Sequence, residues 1–409
     1  MITGIPFYQE AKDLYKIAVL YWNKLAKDKI EEQFQLSQKS RENPYLYEFL
    51  KWKYGNYNIL EWRQNIYPVV VFPAPNHQKY NVNSALTYPL TKEEPKSEAF
   101  VVREPTVRAL LEKLGVPIQN RLTYTMTRLN TQDSLQLTGA LGCYFYTLDT
   151  CYSLEWEILS NLNKLGGHNE DDFKRFDEQL DLRRKLHANV NYPIVDGSGR
   201  SAAIGISTLI AYNDNGRINL WLKRRSKKDV AAHGGLVHVI PSFIFQPVTE
   251  FIEEEFKVPH NIFREYLEEI FDRPEPQMGT EAVYNYFYGD LRLQYLLTLL
   301  GSQQAELLFT GIAVDLLSLR PEICTLLWIK TSDWFNRHSS SADENRFKIN
   351  LEFIKGYDAQ NGLDWLVTPV PFSRDDSILS RYEHLSPSHI TPGGIAAFKL
   401  GLKFLQEVV

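Results

Sequence analysis

Between Ala11 and Gln38, apolar side chains recur at Leu14, Ile17, Ala18, Tyr21, Trp22 and Leu25. That three-and-four spacing predicts an amphipathic helix. Tyr67–Phe72 (Tyr-Pro-Val-Val-Val-Phe) is rich in β-branched residues and is broken by Pro73-Ala-Pro75, so it reads as a strand. Asn76–Ser97 is polar and punctuated by prolines, which predicts a long loop. A short helix is expected over Thr106–Leu114, closed by Gly115 and Pro117 in the order that ends helices. Leu122–Arg128 has the pattern of a strand. From Leu154 to Leu186 the helical period returns, interrupted at Gly166-Gly167.

Asn189–Arg200 holds Pro193, Asp196, Gly197 and Gly199, which is turn chemistry, and the period changes after it. The main boundary is placed there, with residues 1–190 forming a mostly helical α+β region and 191–409 a second unit with insertions. Ile204–Tyr212 reads as a buried strand, Asn213–Gly216 as a tight hairpin turn, and Ile218–Lys223 as the returning strand. Gly234–Ile240 is a further strand stopped by Pro241, and a helix is expected over Phe263–Phe271. Glu306–Val314 and Cys324–Ile329 are β-rich, and Gly394–Val408 is a final helix. This order describes an α+β protein whose second half is a mixed sheet with helices packed on it. No internal repeat is evident, and only Ser339–Ser341 is low in complexity.

Composition narrows the function classes. With 44% hydrophobic and 23% charged residues the chain falls among globular proteins. Its 409 residues leave room for two or three domains at about 150 residues each. A net charge of −5 gives no footprint for a phosphate backbone, and the basic run Lys223–Arg225 with Lys227 and Lys228 is flanked by acidic stretches. Nucleic acid is therefore disfavoured as a partner. The three cysteines, Cys143, Cys151 and Cys324, form no CxxC pair, so a reducing, cytoplasmic setting is the simplest reading. Met1–Phe7 lacks the pattern of a signal peptide. The apolar runs at Ile66–Phe72 and Tyr295–Leu300 are far shorter than the roughly 20 residues of a membrane helix, so no membrane partner is expected. A homo-oligomer is neither required nor excluded.

The segment with chemical content is Asn261-Ile-Phe-Arg-Glu-Tyr-Leu-Glu-Glu-Ile-Phe-Asp272. On a helix, Glu265, Glu268 and Glu269 share one face at i, i+3 and i+4. Three carboxylates on one stripe repel one another unless a hard dication such as Mg²⁺ or Mn²⁺ neutralises them. An isolated string of this kind is also what a solvated helix face looks like. Arg224 and Arg225 end a strand on the same side and can grip a phosphate, although strand alternation lets only one of them face a site. His238, on the strand before Pro241, is a further substrate-contact candidate, set against a packed or surface histidine. His233-Gly234-Gly235 reads as a turn, Gly166–Asp172 as a polar turn, and His384 and His389 as loop residues. Gly393-Gly394 at the start of the last helix can receive a phosphate, with packing as the simpler role.

Arg264-Glu-Tyr-Leu-Glu-Glu269 resembles the Arg-Glu-x-x-Glu-Glu core of the Nudix box, and the preceding strand–hairpin–strand and Arg-Arg pair resemble that family's context. The resemblance spans about Arg200 to Val409. It implies a Nudix-type mixed sheet, with Glu268 and Glu269 as main metal ligands, Glu265 as a ligand or base, and Arg264 in a structural role. It implies Mg²⁺-dependent hydrolysis of a nucleoside diphosphate linked to another moiety, a pyrophosphohydrolase. Pro241-Ser242-Phe243 stands where the family has Pro-Gly-Gly, and the interval to Arg264 is longer. One of the glutamates of Glu250–Glu255 can replace the family's upstream acid, and spacing does not say which. With the loop glycines absent, the alternative is a Nudix-like sensor that binds a nucleotide without cleaving it, coupled to the N-terminal region. An interaction protein with no small ligand is the third reading.

Overall fold

A computed structural model describes residues 41–75, 107–113, 118–132, 135–225, 233, 235–271, 273, 286–339, 367–373 and 385–409. The helix expected over 11–38, the loop at 76–97, and Lys227, Lys228, Asp272 and His384 lie outside the described residues. The described chain is α+β.

Helix α1 (Pro44–Tyr54) starts from Asn43, whose side chain accepts a hydrogen bond from the Tyr45 amide, and buries Leu46, Phe49, Leu50 and Tyr54 along one ridge. The hairpin β1 (Ile59–Trp62) and β2 (Asn65–Pro73) follows. Its two turn residues, Arg63 and Gln64, have φ of 52° and 64°. Tight hairpins require this left-handed conformation, but it is usually signalled by Asn-Gly, and the sequence pattern missed the hairpin for that reason. After α2 (Val107–Lys113), strands β3 (Leu122–Asn130) and β4 (Gln136–Cys143) form a separate antiparallel pair. One α turn (Tyr144–Thr147) and one π turn (Leu148–Tyr152) lead into α3 (Ser153–Asn161). Helices α4 (Glu170–Glu178) and α5 (Asp181–Leu186) complete this region.

The large sheet begins with β5 (Gly205–Asp214) and β6 (Arg217–Arg224), joined by a turn at Asn215 (φ 50°) and Gly216 (φ 89°) as their types anticipate. Next come β7 (Val237–Val239) and β8 (Ser242–Ile244). As expected, β7 stops before Pro241; it pairs with β6, and a new strand, β8, starts beyond the proline and pairs with β5. The box segment is α6 (Val258–Glu265), continued by a π turn at Tyr266–Ile270. The remaining elements are α7 (Leu291–Gly301), β9 (Ala305–Asp315), β10 (Pro321–Ile329), α8 (Asp333–Ser339), β11 (Val367–Pro371) and α9 (Pro392–Val408). The sheet order is β1-β2-β9-β10-β5-β6-β11, with β10 and β5 parallel and the other pairings antiparallel. The β1–β2 hairpin thus extends a sheet whose other strands all follow residue 200.

Strand alternation divides the core. Ile206, Ile210 and Tyr212 of β5, with Ile323 and Leu327 of β10, pack in one cluster with Ile262, Phe263 and Tyr266 of the box segment. Leu209, Ala211, Cys324 and Leu326 face the other way, toward Ile395, Phe398 and Leu402 of α9. Gly401 lets α9 approach closely: a Cβ there would lie 2.8 Å from Leu209 Cδ2. No helix among the described residues is long and apolar enough to cross a membrane.

Candidate functional site

On the α6 face, charge is matched internally. The Arg264 guanidinium, 2% exposed, meets Glu255 Oε2 at 3.3 Å and Glu265 Oε1 at 2.9 Å. Glu255 in turn accepts the amides of Val248 (2.9 Å) and Thr249 (2.8 Å) and the Thr249 hydroxyl. Glu255 is thus the member of the 250–255 acidic stretch that meets Arg264, and the rebuilt loop folds around its carboxylate. Glu269 accepts from Lys223 Nζ at 3.0 Å and from the Ser242 amide at 2.9 Å. Glu268 lies half-buried in the π turn. Hydrogen bonds spaced five residues apart widen that turn, so side chains three apart no longer stack as in an α-helix. Among the described residues, the group of three potential ligands whose atoms all lie within 4.8 Å of one another is Glu155, His233 and Asp315, not the box glutamates.

That group borders a cleft of about 380 Å³ on the α9 side of the sheet, within the range typical of small-molecule sites. Asp315 at the end of β9 and Glu322 at the start of β10 form its floor, with Arg320 in the turn between them. Tyr144, Tyr152 and Arg121 make one wall, and Ser242, Phe243 and Ile244 of β8 another. Arg225 and His233 approach from the loop after β6, while Thr391, Pro392 and Gly393 bring the first turn of α9 to the edge. Thr391 caps that helix by accepting from the Gly394 amide at 3.0 Å.

Geometry sets the protonation preferences. Burial pushes the Glu155 carboxyl up, but His233 and then Arg41 outweigh it and hold the group at about 2. His233 Nε2 lies 3.0 and 3.2 Å from the two Glu155 oxygens, and Arg41 pairs with the same carboxylate from behind. Burial, then the negative Glu155, raises Asp315, whose oxygens also accept from the Leu317 amide (2.9 Å) and the Ser318 hydroxyl (2.5 Å). Burial likewise raises Glu322, against the pull of Arg320 and a hydrogen bond from Ser207. Arg320 is fixed by Ala203 O at 3.0 Å and the Tyr152 hydroxyl at 2.5 Å. His238 is 6% exposed, and burial, then Arg225, hold it far below the usual imidazole range. Its Nδ1, like Arg225 Nε, has no hydrogen-bond partner among the described residues.

Of the residues singled out from sequence, Arg225 and His238 line this cleft and Arg224 does not. Gly393 lies at its edge. Glu265, Glu268 and Glu269 are not among its lining residues, although Glu269 touches it through the Ser242 amide. Sequence reasoning missed Arg121, Glu155, Asp315, Arg320 and Glu322, and took His233 for a turn residue. His233 is indeed in a turn, at φ 57°, with its side chain directed at Glu155. No short motif links these positions; they meet only when the strand ends and α3 are packed together. A His-Gly-Gly run before a strand was the one local signal. No protein-family model matches the chain, and no curated protein matches its sequence.

Proposed function

We propose that the protein binds a phosphorylated, hydroxyl-bearing small molecule of nucleotide type in the cleft at the start of α9, and that the box helix is a structural brace. The observation carrying this reading is a pair of cleft-lining residues that each keep a buried polar atom unpaired among the described residues. Arg225 Nε and His238 Nδ1, on two residues that line the cleft, are buried without a hydrogen-bond partner among the described residues, whereas Glu265 and Glu269 are held by Arg264 and by Lys223 with the Ser242 amide. Leaving a buried polar atom unpaired costs about 1–3 kcal/mol, and a ligand whose binding draws either side chain into a hydrogen bond would offset part of that cost.

The lining supports the ligand class. Arg121, Arg225 and Arg320 offer planar donors suited to phosphate oxygens, and the Gly393 amide in the first turn of a 17-residue helix adds to them. Asp315 and Glu322 accept from hydroxyl or amino groups, and Tyr144 and Phe243 give flat apolar surface for a ring. This is the sensor alternative to the pyrophosphohydrolase that the Nudix resemblance implies.

The test is a screen of ADP-ribose, NAD, dinucleoside polyphosphates and nucleotide sugars, with and without Mg²⁺ or Mn²⁺, following melting temperature and products together. A saturable melting shift without turnover, lost in Arg225→Ala, is expected. Metal-dependent product release abolished by Glu268→Gln with Glu269→Gln would replace this reading with the hydrolase. No shift and no product with any compound would remove both.

A further inference from the structure

We infer that Glu155, His233 and Asp315 form a binding site for a first-row transition dication at the edge of the cleft, remote in sequence from the box helix. This inference does not depend on the ligand proposed above and can fail or hold separately from it.

The donor set is two carboxylates and one imidazole, with one ligand atom from each inside a 4.8 Å span. His233 Nε2 stands 3.0 Å from a Glu155 oxygen. Neighbouring ligands of an octahedral ion are also about 3 Å apart when each lies about 2.1 Å from the metal. That short contact is a hydrogen bond, and an ion would replace the proton it carries. An imidazole among the donors favours Mn²⁺, Fe²⁺ or Zn²⁺ over Mg²⁺.

The surroundings independently point to a ligand. His233 and Asp315 line the cleft, so an ion held by the three side chains keeps coordination positions open to it. His238, 6% exposed and with Nδ1 unpartnered among the described residues, lines the same space. Arg41, 1% exposed and paired with Glu155, fixes that carboxylate's position and offsets part of the clustered negative charge. The loop supports His233 from below: the Leu236 amide donates to His233 O at 3.2 Å, and the Arg225 amide donates to Leu236 O at 2.9 Å. A non-glycine residue at φ 57° is uncommon outside such supported turns. Bound there, the dication would offer a Lewis-acid contact to an anionic oxygen in the cleft.

The test uses the full chain, stripped with chelator and dialysed, and titrated with Mn²⁺ alone while the free ion is followed by electron paramagnetic resonance. A second titration uses Zn²⁺. One ion per chain is expected, with pulsed spectra showing nitrogen modulation from one imidazole. His233→Ala should remove the modulation and weaken binding at least ten-fold, as should Glu155→Gln. Glu268→Gln with Glu269→Gln should leave affinity unchanged. The inference is overturned if the unaltered protein takes up neither ion stoichiometrically. It is equally overturned if the bound ion shows no nitrogen contact, or if His233→Ala retains full affinity. The spectrum of the unaltered protein decides the matter even where a variant does not fold.

Discussion

On the α6 side of the sheet, Arg264 holds Glu255 and Glu265, and Lys223 holds Glu269; at the α9 side, Arg225 Nε and His238 Nδ1 have no hydrogen-bond partner among the described residues, beside Asp315 and Glu322. Both regions bury charge. In the first, three carboxylates close on two cations, which stabilises the loop. In the second the charges surround a volume, and the cost of holding them there is offset by folding elsewhere. A run of acidic residues in sequence is therefore a poor guide to a site until its internal partners are known.

The contrast breaks most readily at Arg264. Arg264→Ala leaves two nearly fully buried carboxylates without their cation, and a loss of about 3–5 kcal/mol is expected in urea denaturation. Stability within 1 kcal/mol of the parent would mean the brace is illusory. Arg225→Ala should behave in the opposite way. It should weaken ligand binding at least ten-fold in titration calorimetry, in line with about 1.5–3 kcal/mol for a charged hydrogen bond, with ligand-free stability little changed.

Acid should act on both sides of the sheet, through His238 in the cleft as well as through buried histidines outside it. Burial, then Arg264, lowers His260 to about 3, and burial, then Arg200, lowers His187 to about 3, both from 6.5. A base whose folded pKa is depressed binds fewer protons folded than unfolded, so stability falls as pH drops from 6.5 toward 3. The slope is at most about 1.4 kcal/mol per pH unit for each such group. Glu155, with its folded value at about 2 against 4.5, contributes stability that begins to fade only below 4.5. Urea midpoints from pH 7 to pH 5 should therefore decline, and His260→Asn should flatten the decline. An unchanged slope in that variant would clear His260 of the role. The smallest effect belongs to Glu269→Gln. It keeps an acceptor for the Ser242 amide and loses only a partly exposed ion pair, so a change below about 1 kcal/mol is expected in the same assay.

The strands with strong local patterns, β2, β5, β6, β9 and β10, and the helix α9 were readable because periodicity, turn glycines and β-branching are local properties. The hairpin β1–β2 was not, because Arg63-Gln64 is an unusual turn pair. Strand β8 was hidden because the chain crosses from one partner strand to another at Pro241, so the proline looked like an ending. In the cleft, Arg225 and His238 could be proposed because they sit at strand ends beside a plausible motif. Asp315, Arg320 and Glu322 could not: within β-rich runs they look like turn and edge residues. Only the packing of the β9–β10 turn against Tyr152 and α9 brings them to a shared space.

The β1–β2 hairpin carries a practical consequence. Its backbone covers one side of β9 from Val69 opposite Asp315 to Pro73 opposite Gly311. A fragment beginning after residue 190 would present that row of amides and carbonyls bare, along a strand that is apolar on both faces, and neighbouring molecules would stitch onto it. Anyone trimming this protein for crystals or assays should expect insoluble material from such a cut, together with loss of Glu155 and of the arginine behind it.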